Sequence, residues 1–238
     1  MDQLQMTPQS AFTSATALGA ERVTAFLRKV YGWMCVGLGI TAVVALGVAG
    51  SPTLVRAIVS NPILFFGLFI VELGLVFYLS ARVNKLAPST AAALFVAYSA
   101  LNGAVLSMIF LAYSGTSIAT TFFVTAGMFG ALALYGTTTR RSLAGVGQFV
   151  FMGLIGLILA SVVGVFVRSQ GLQFVISVVG VIVFTGLTAW DAQRLKAMAT
   201  ALPEGRTGSY AIVGALSLYL DFINLFLFLL RFFGGRRD

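Results

Sequence analysis

The sequence predicts an all-α integral membrane protein with seven transmembrane helices, on three observations. Residues of the AVILMFWYC set fill 59% of the 238 positions, and charged residues only 9%. A soluble domain carries about 25% charged residues because water must solvate its surface, so the solvent for most of this surface is lipid. Seven apolar segments follow one another, at about 31–49, 61–81, 88–113, 117–136, 146–167, 172–190 and 211–233. Each reaches the ~17–25 residues that cross the hydrocarbon layer.

The elements follow in order. Residues 1–27 are rich in Ser, Thr, Ala and Gln and lack an apolar h-region, which argues against a cleavable signal peptide. They read as a mobile cytoplasmic tail leading into the basic cluster Arg22, Arg28, Lys29. Residues 28–235 read as a single seven-helix domain, and 236–238 as a short basic tail. The breaks between segments carry Pro or charge: Pro52 with Arg56, Arg82 with Lys85 and Pro88, Arg140 with Arg141, Arg168, and Asp191 through Arg206 with Pro203.

Loop charge sets the orientation. With the N-terminus inside, the cytoplasmic loops hold Arg82, Lys85, Arg140, Arg141, Arg194, Lys196 and Arg206, and the opposite loops only Arg56 and Arg168. Lys and Arg are retained on the inner side, so the N-terminus is cytoplasmic. The last segment is balanced between two readings. Its length favours a full crossing, whereas Arg231, Arg236 and Arg237 favour a re-entrant segment that keeps them inside. The full helix is the preferred expectation.

Composition also excludes chemistry. The net charge of +8 sits in pairs between apolar runs, which is a membrane-loop pattern, so no nucleic-acid partner is expected. The chain has no histidine, and Cys35 is its single cysteine. Intramolecular disulfides and His/Cys zinc sites are therefore impossible, and any bound metal would be a hard cation held by oxygen. No firm metal site and no cofactor are expected. Ser–His and Cys–His nucleophile systems are excluded as well. Small residues on helical faces, such as Ser99, Gly103 and Ser107 or Gly153 and Gly156, read as close helix packing. Phe and Leu runs such as Phe226 to Phe233 read as packing or lipid contact, and Met6, Met108 and Met128 suggest no cofactor box.

Three acids fall inside the spans, where each costs about 2.5–3.5 kcal/mol on insertion scales and is functional by default. Asp221 lies about 16 Å along the helix from Tyr210 at 1.5 Å per residue, near mid-bilayer. Gly214, Ser217, Asp221 and Asn224 recur at spacings of three and four, and Arg231 continues the stripe. Such a helix belongs inside a bundle with its polar stripe lining a cavity; a structural hydrogen bond from the carboxyl is the bland alternative. Asp191 closes the sixth segment beside Trp190 and alone reads equally well as an interfacial charge. Segments six and seven meet on the cytoplasmic side, however, which lets Asp191 and Asp221 approach. Two carboxylates in contact do not both ionise cheaply and share a proton, giving a histidine-free chain a way to sense pH. Glu72 is central in segment two. Arg82 stands ten residues on, able to pair with either aspartate or to snorkel into the loop.

The stretch Gly-Ala-Leu-Ser-Leu-Tyr-Leu-Asp-Phe-Ile-Asn-Leu-Phe-Leu-Phe-Leu-Leu-Arg-Phe-Phe-Gly at 214–234 resembles the C-terminal signature of the Bax inhibitor family, also called the transmembrane Bax-inhibitor-motif family. Tyr-Ser-Ala-Leu-Asn-Gly at 98–103 and Gly-Leu-Thr-Ala-Trp-Asp-Ala-Gln-Arg-Leu-Lys at 186–196 are similar to two further stretches of that family, and the likeness covers residues 20–235. The short tails resemble its bacterial, YccA-like branch, which implies a bacterial plasma (inner) membrane. The resemblance implies that the last helix is central and wrapped by the other six. It also implies a pH-sensitive Ca2+ leak gated by a hydrogen-bonded aspartate pair, matched here by Asp191 and Asp221. The family's latch arginine corresponds to Arg82 with a one-residue shift, and Glu72 matches an acidic position in some relatives. Glu72, Asn102, Ser217 and Asn224 are the candidate polar lining.

Three functions compete on this reading. The first is a proton-gated leak for Ca2+ or another cation, for which oxygen ligands and intramembrane acids are suited. The second is a regulatory protein that binds other membrane proteins, such as a membrane protease. The third is uptake of a small organic acid, which suits Arg82 and Arg231. An enzyme is not expected: intramembrane aspartyl proteases carry Gly-x-Gly-Asp, and this chain has Leu218-Tyr219-Leu220-Asp221.

Overall fold

The computed structural model describes residues 8–167, 169–203 and 207–235, with side-chain surroundings from residue 19 onward. Among these residues nine helices and no strand occur: α1 (Pro8–Ala49), α2 (Pro52–Val59), α3 (Pro62–Arg82), α4 (Pro88–Leu106), α5 (Ile109–Ala112), α6 (Gly115–Thr138), α7 (Ala144–Phe166), α8 (Gln170–Ala201) and α9 (Thr207–Phe233). Seven stretches are long and apolar enough to cross a membrane: most of α1, α3, α4 continued by α5, α6, α7, α8 and α9.

Local chemistry sets the breaks. Prolines open α2, α3 and α4, each after a residue in extended backbone: Ser51, Asn61 and Ala87. At a first helical position the missing N–H has no partner to lose, and the ring disfavours helical backbone in the residue before it. Side chains of Asn61, Ser114 and Ser169 accept hydrogen bonds from Leu64, Ser117 and Leu172 amides and cap α3, α6 and α8. The third span breaks at Ser107–Met108, where the Ser107 hydroxyl donates to the Ala104 carbonyl at 2.6 Å.

The centre of the bundle is α9. It packs against α1, α3, α4, α6 and α8, and α7 joins from outside through α8. Of its most apolar window 67% is buried, against 11% for α3 on the periphery. Both ends are tied down. The Ser209 hydroxyl donates to the Leu86 carbonyl at 2.7 Å and the Tyr210 hydroxyl donates to Asn84, while the Gly235 amide donates to Ser117 Oγ at 3.1 Å. α9 runs 27 residues without a break, about 40 Å at 1.5 Å per residue. That is a crossing and not a re-entrant loop.

Three expectations change. The mobile tail over 1–27 is helical from Pro8 on and continuous with the first span; residues 1–7 lie outside the described set. Its Ala- and Gln-rich stretch, free of Pro and Gly from Gln9 through Leu18, gives the helix no reason to stop. The sixth helix runs to Ala201 and not to residue 190, so Asp191 is interior to it. Ala192, Leu195 and Ala199 are buried there, continuing the inward stripe in good helix formers. The loop after the first span holds a further short helix, α2. Arg206, Arg168 and the 236–238 tail lie outside the described residues.

Glycine lets α1 and α4 approach closely. A Cβ on Gly103 would lie 2.7 Å from the Thr41 carbonyl oxygen and 2.9 Å from Val44 Cβ, whereas one on Gly127 would meet open space. Gly103→Ala should therefore lower stability by about 1–3 kcal/mol, the range for overpacking. Thermal unfolding of purified protein in detergent reads this as a lower midpoint, with Gly127→Ala unchanged or slightly raised.

Candidate functional site

The register of the α8–α9 hairpin follows from its chain connection. Asp191 is ten residues before the end of α8, and Ser217 is ten residues after the start of α9. The two helices run antiparallel, so these residues stand at one level, and Asp221 stands one turn deeper in the membrane. The contacts agree with that count. The Ser217 hydroxyl donates to Asp191 Oδ2. Asp191 and Asp221 are 7% and 5% exposed, and Asp221 lies within electrostatic reach of Asp191. Among the described residues no direct hydrogen bond joins the two carboxyls. A serine stands where sequence reasoning expected the second aspartate.

The cation near this pair is not Arg82. Arg194, one turn beyond Asp191 on α8, brings Nη1 to 4.0 Å from Asp191 Oδ1 and lies over the Trp190 ring at 5.5 Å. Its side chain is 58% exposed, so solvent screens the contact and leaves it worth little. Arg82 ends α3 with an exposed side chain and, among the described residues, no ion pair.

A second polar cluster occupies the opposite flank of α9. Tyr219 is two residues from Asp221, hence about 200° around the helix at 3.6 residues per turn. Its hydroxyl lies 2.6 Å from Thr41 Oγ1 and donates to Asn102 Oδ1 at 3.1 Å. Thr41 also donates to the Ser99 carbonyl at 2.9 Å. Glu72, which is 6% exposed, lies within electrostatic reach of Asn102, Tyr98 and Tyr219. Residues from α1, α4 and α9 thus form one polar cluster, with Glu72 of α3 within reach of it.

Among the described residues, four buried side-chain oxygens lack a hydrogen-bond partner: Glu72 Oε1, Asp191 Oδ1, Asp221 Oδ2 and Thr185 Oγ1. Three of the four belong to the intramembrane acids. Such orphans are rare in folded proteins and mark strain, chemistry or a missing ligand. Each of these acids therefore keeps hydrogen-bonding capacity that the surrounding helices leave unfilled.

The remaining candidates have other tasks. The Asn224 amide donates to the Leu220 carbonyl of its own helix at 2.8 Å. Arg231 is exposed at the other end of the bundle from Arg82, donating to Gln173 at 3.4 Å and lying over Phe228 at 5.8 Å. Beyond Asp191, Gln193 accepts from the Leu143 amide at 2.8 Å and donates to the Arg141 carbonyl at 2.9 Å. Lys196 donates to the Thr137 carbonyl at 2.6 Å, a cation placed at the carboxyl end of α6. The cytoplasmic extension of α8 therefore clasps both sides of the α6–α7 turn. Sequence reasoning passed over Tyr219, Thr41 and Arg194. The buried Tyr219 carried a signal, since a tyrosine hydroxyl inside a bundle must find a partner.

An apolar seven-helix bundle whose central helix meets buried acids on two flanks defines a multi-pass membrane protein with a polar interior. The comparisons then give the family. The model described as "Inhibitor of apoptosis-promoting Bax1" matches residues 23–238, and the chain belongs to this Bax inhibitor family. "Inner membrane protein YbhL" of Escherichia coli K12 is 50% identical over 215 residues, spanning 89% of this chain and 92% of the relative. Uncharacterized protein RP147 of Rickettsia prowazekii is 41% identical over 229 residues, spanning 95% and 96%. A Deinococcus radiodurans protein is 39% identical over the whole chain and 98% of its own length. Seven apolar helices fit a multi-pass protein of the inner membrane, the location in the first relative's name.

Tyr219→Phe removes the one hydroxyl that joins Thr41 to Asn102. The variant should lose about 1–3 kcal/mol, because a buried polar partner is left unpaired. The thermal midpoint of the purified protein should fall accordingly, and a Thr41→Val/Tyr219→Phe double variant should fall by less than the sum of the two singles.

Proposed function

We propose that this protein is a pH-sensitive cation leak of the inner membrane, with Ca2+ the best-suited ion, and that Asp191, Ser217 and Asp221 form its proton-responsive element. The observation that carries this reading is the set of three buried acids, each with an unpartnered carboxyl oxygen inside the bundle. An acid held at that depth without a full set of partners is costly, and its usual use is an ion or proton path. Among the described residues no three acids or cysteines gather as a metal-binding cluster. A leak tolerates that, since conduction needs binding weak enough for exit.

Ser217 is the coupling group. Its hydroxyl holds Asp191 Oδ2, leaving the charge state of one aspartate to be felt by the other across about one helical turn. Arg194 sits at the exposed edge, with Nη1 4.0 Å from Asp191 Oδ1. Glu72, with Asn102 beside it, supplies oxygen on the far flank of α9 for a cation that has passed or has yet to pass the pair. The organic-acid reading draws on Arg82 and Arg231. They stand at opposite ends of the bundle and offer no common anion site.

Flux of Ca2+, other cations and a small carboxylate from liposomes holding purified protein, measured from pH 5 to 8, tests the proposal. Asp191→Asn and Asp221→Asn each remove one member of the titrating unit and should move or abolish the pH dependence, with the thermal midpoint near wild type. Ser217→Ala should shift the midpoint of the pH profile by freeing Asp191 Oδ2, and Arg82→Ala should change it least. Glu72→Gln should lower flux without shifting that midpoint. A double Asp191→Asn/Asp221→Asn variant that conducts with an unchanged profile would make the pair structural and turn the choice to a regulatory partner protein.

A further inference from the structure

The outer half of the bundle is open on one side. α6 packs on α8 and α9, and α1 packs on α4, α8 and α9, but α1 and α6 do not pack along one another. Between them lies a cavity of about 410 Å3 whose walls include Ala42 and Ala45 of α1, Phe110 of α5, Ala119 of α6, and Ile223 and Phe226 of α9. Its rim residues Leu46 and Phe123 are exposed. Ala42 and Ala45 lie seven and four residues from the end of α1, about 6–11 Å at 1.5 Å per residue. With the N-terminus inside, as the loop charges place it, that end is the outer one. The groove therefore opens sideways at the depth of the outer-leaflet hydrocarbon.

Its chemistry narrows the occupant. Thr41 is the one polar side chain with a hydrogen-bonding group in the wall, and its hydroxyl is taken up by the Ser99 carbonyl at 2.9 Å and the Tyr219 hydroxyl at 2.6 Å. Water needs two to four polar partners to reside in a cavity and finds none free here. At about 410 Å3 it has room for only about one turn of a transmembrane helix, which is about 10 Å across with a 5.4 Å pitch. The volume holds about a dozen groups of the ~30 Å3 that a water molecule takes up, close to the size of a methylene. Left empty, the walls would forfeit their dispersion contacts.

We propose that this groove is a lipid site, occupied by one acyl chain of an outer-leaflet phospholipid. The chain lies against Phe222, Ile223 and Phe226, so it forms part of the wall of the helix that carries Asp221. The inference stands on the cavity and its depth and does not depend on ion conduction.

Two measurements test it. In native mass spectrometry of protein purified in a mild detergent, wild type should retain one phospholipid. Ala42→Phe/Ala119→Phe, which fills the groove, should cut that retention several-fold, whereas Ala131→Phe on an exposed part of α6 should not. Equal retention in the plugged and control proteins would overturn the site. The second uses tryptophan quenching in vesicles of phosphatidylcholine brominated at mid-chain, which keeps the site testable should the plugged variant fail to fold. Ile223→Trp, with the signal of the native Trp33 and Trp190 subtracted, should be quenched nearly as strongly as Phe123→Trp on the lipid face. Quenching no greater than that of Leu216→Trp, buried away from the groove, would sink the proposal.

Discussion

Hydrocarbon offers no hydrogen-bond partner, so a polar group carried into a span must be satisfied within the bundle or bear the cost. That constraint acts most strongly on α9, which takes Ser217, Tyr219, Asp221 and Asn224 into the membrane. Its central position is the consequence. Facing lipid, this helix would expose two donors, an amide and a carboxyl. Surrounded by α1, α3, α4, α6 and α8, it finds Thr41, Asn102 and Asp191 to answer most of them. The peripheral helices carry the opposite pattern, with Ile63, Phe66 and Phe77 of α3 turned outward.

The satisfaction is deliberate in some places and incomplete in others. Ser99, Thr125 and Thr188 return their hydroxyls to their own helices, a local solution available to any short hydroxyl side chain. Carboxyls have no such recourse. Glu72, Asp191 and Asp221 each keep an oxygen without a partner, and these are the groups on which the proposed leak rests. One rigid helix lies between the Glu72 cluster and the aspartates, so a change at either flank is carried by the placement of the same backbone. The further groove beside Phe222 and Ile223 brings lipid to a third side of that helix.

Much of the fold was legible because spans are long, apolar and punctuated. Pro52, Pro62 and Pro88 start helices wherever the missing N–H does no harm, and the seven segments appear at nearly the expected positions. The ends were less legible. Helix α8 passes residue 190 because Ala192, Leu195 and Ala199 have a buried face to occupy, and hydropathy, weakened there by Arg194 and Lys196, does not register it. Helix α1 likewise begins in a polar, alanine-rich stretch that reads as a tail by composition.

The sequence by itself determined the class of protein, the family and the three acids that have no business in lipid, because hydropathy, spacing and the cost of a charge are local properties. It also determined that Ser217 and Asp221 share a face, since 3.6 residues per turn leaves no choice. Only the tertiary structure decided what those groups meet. The length of the α8–α9 turn puts Ser217, and not Asp221, level with Asp191. The α1–α4 approach over Gly103 places Thr41 and Asn102 on the two sides of Tyr219. Those partnerships join residues 26 to 178 positions apart, and no local rule of propensity or periodicity carries that distance.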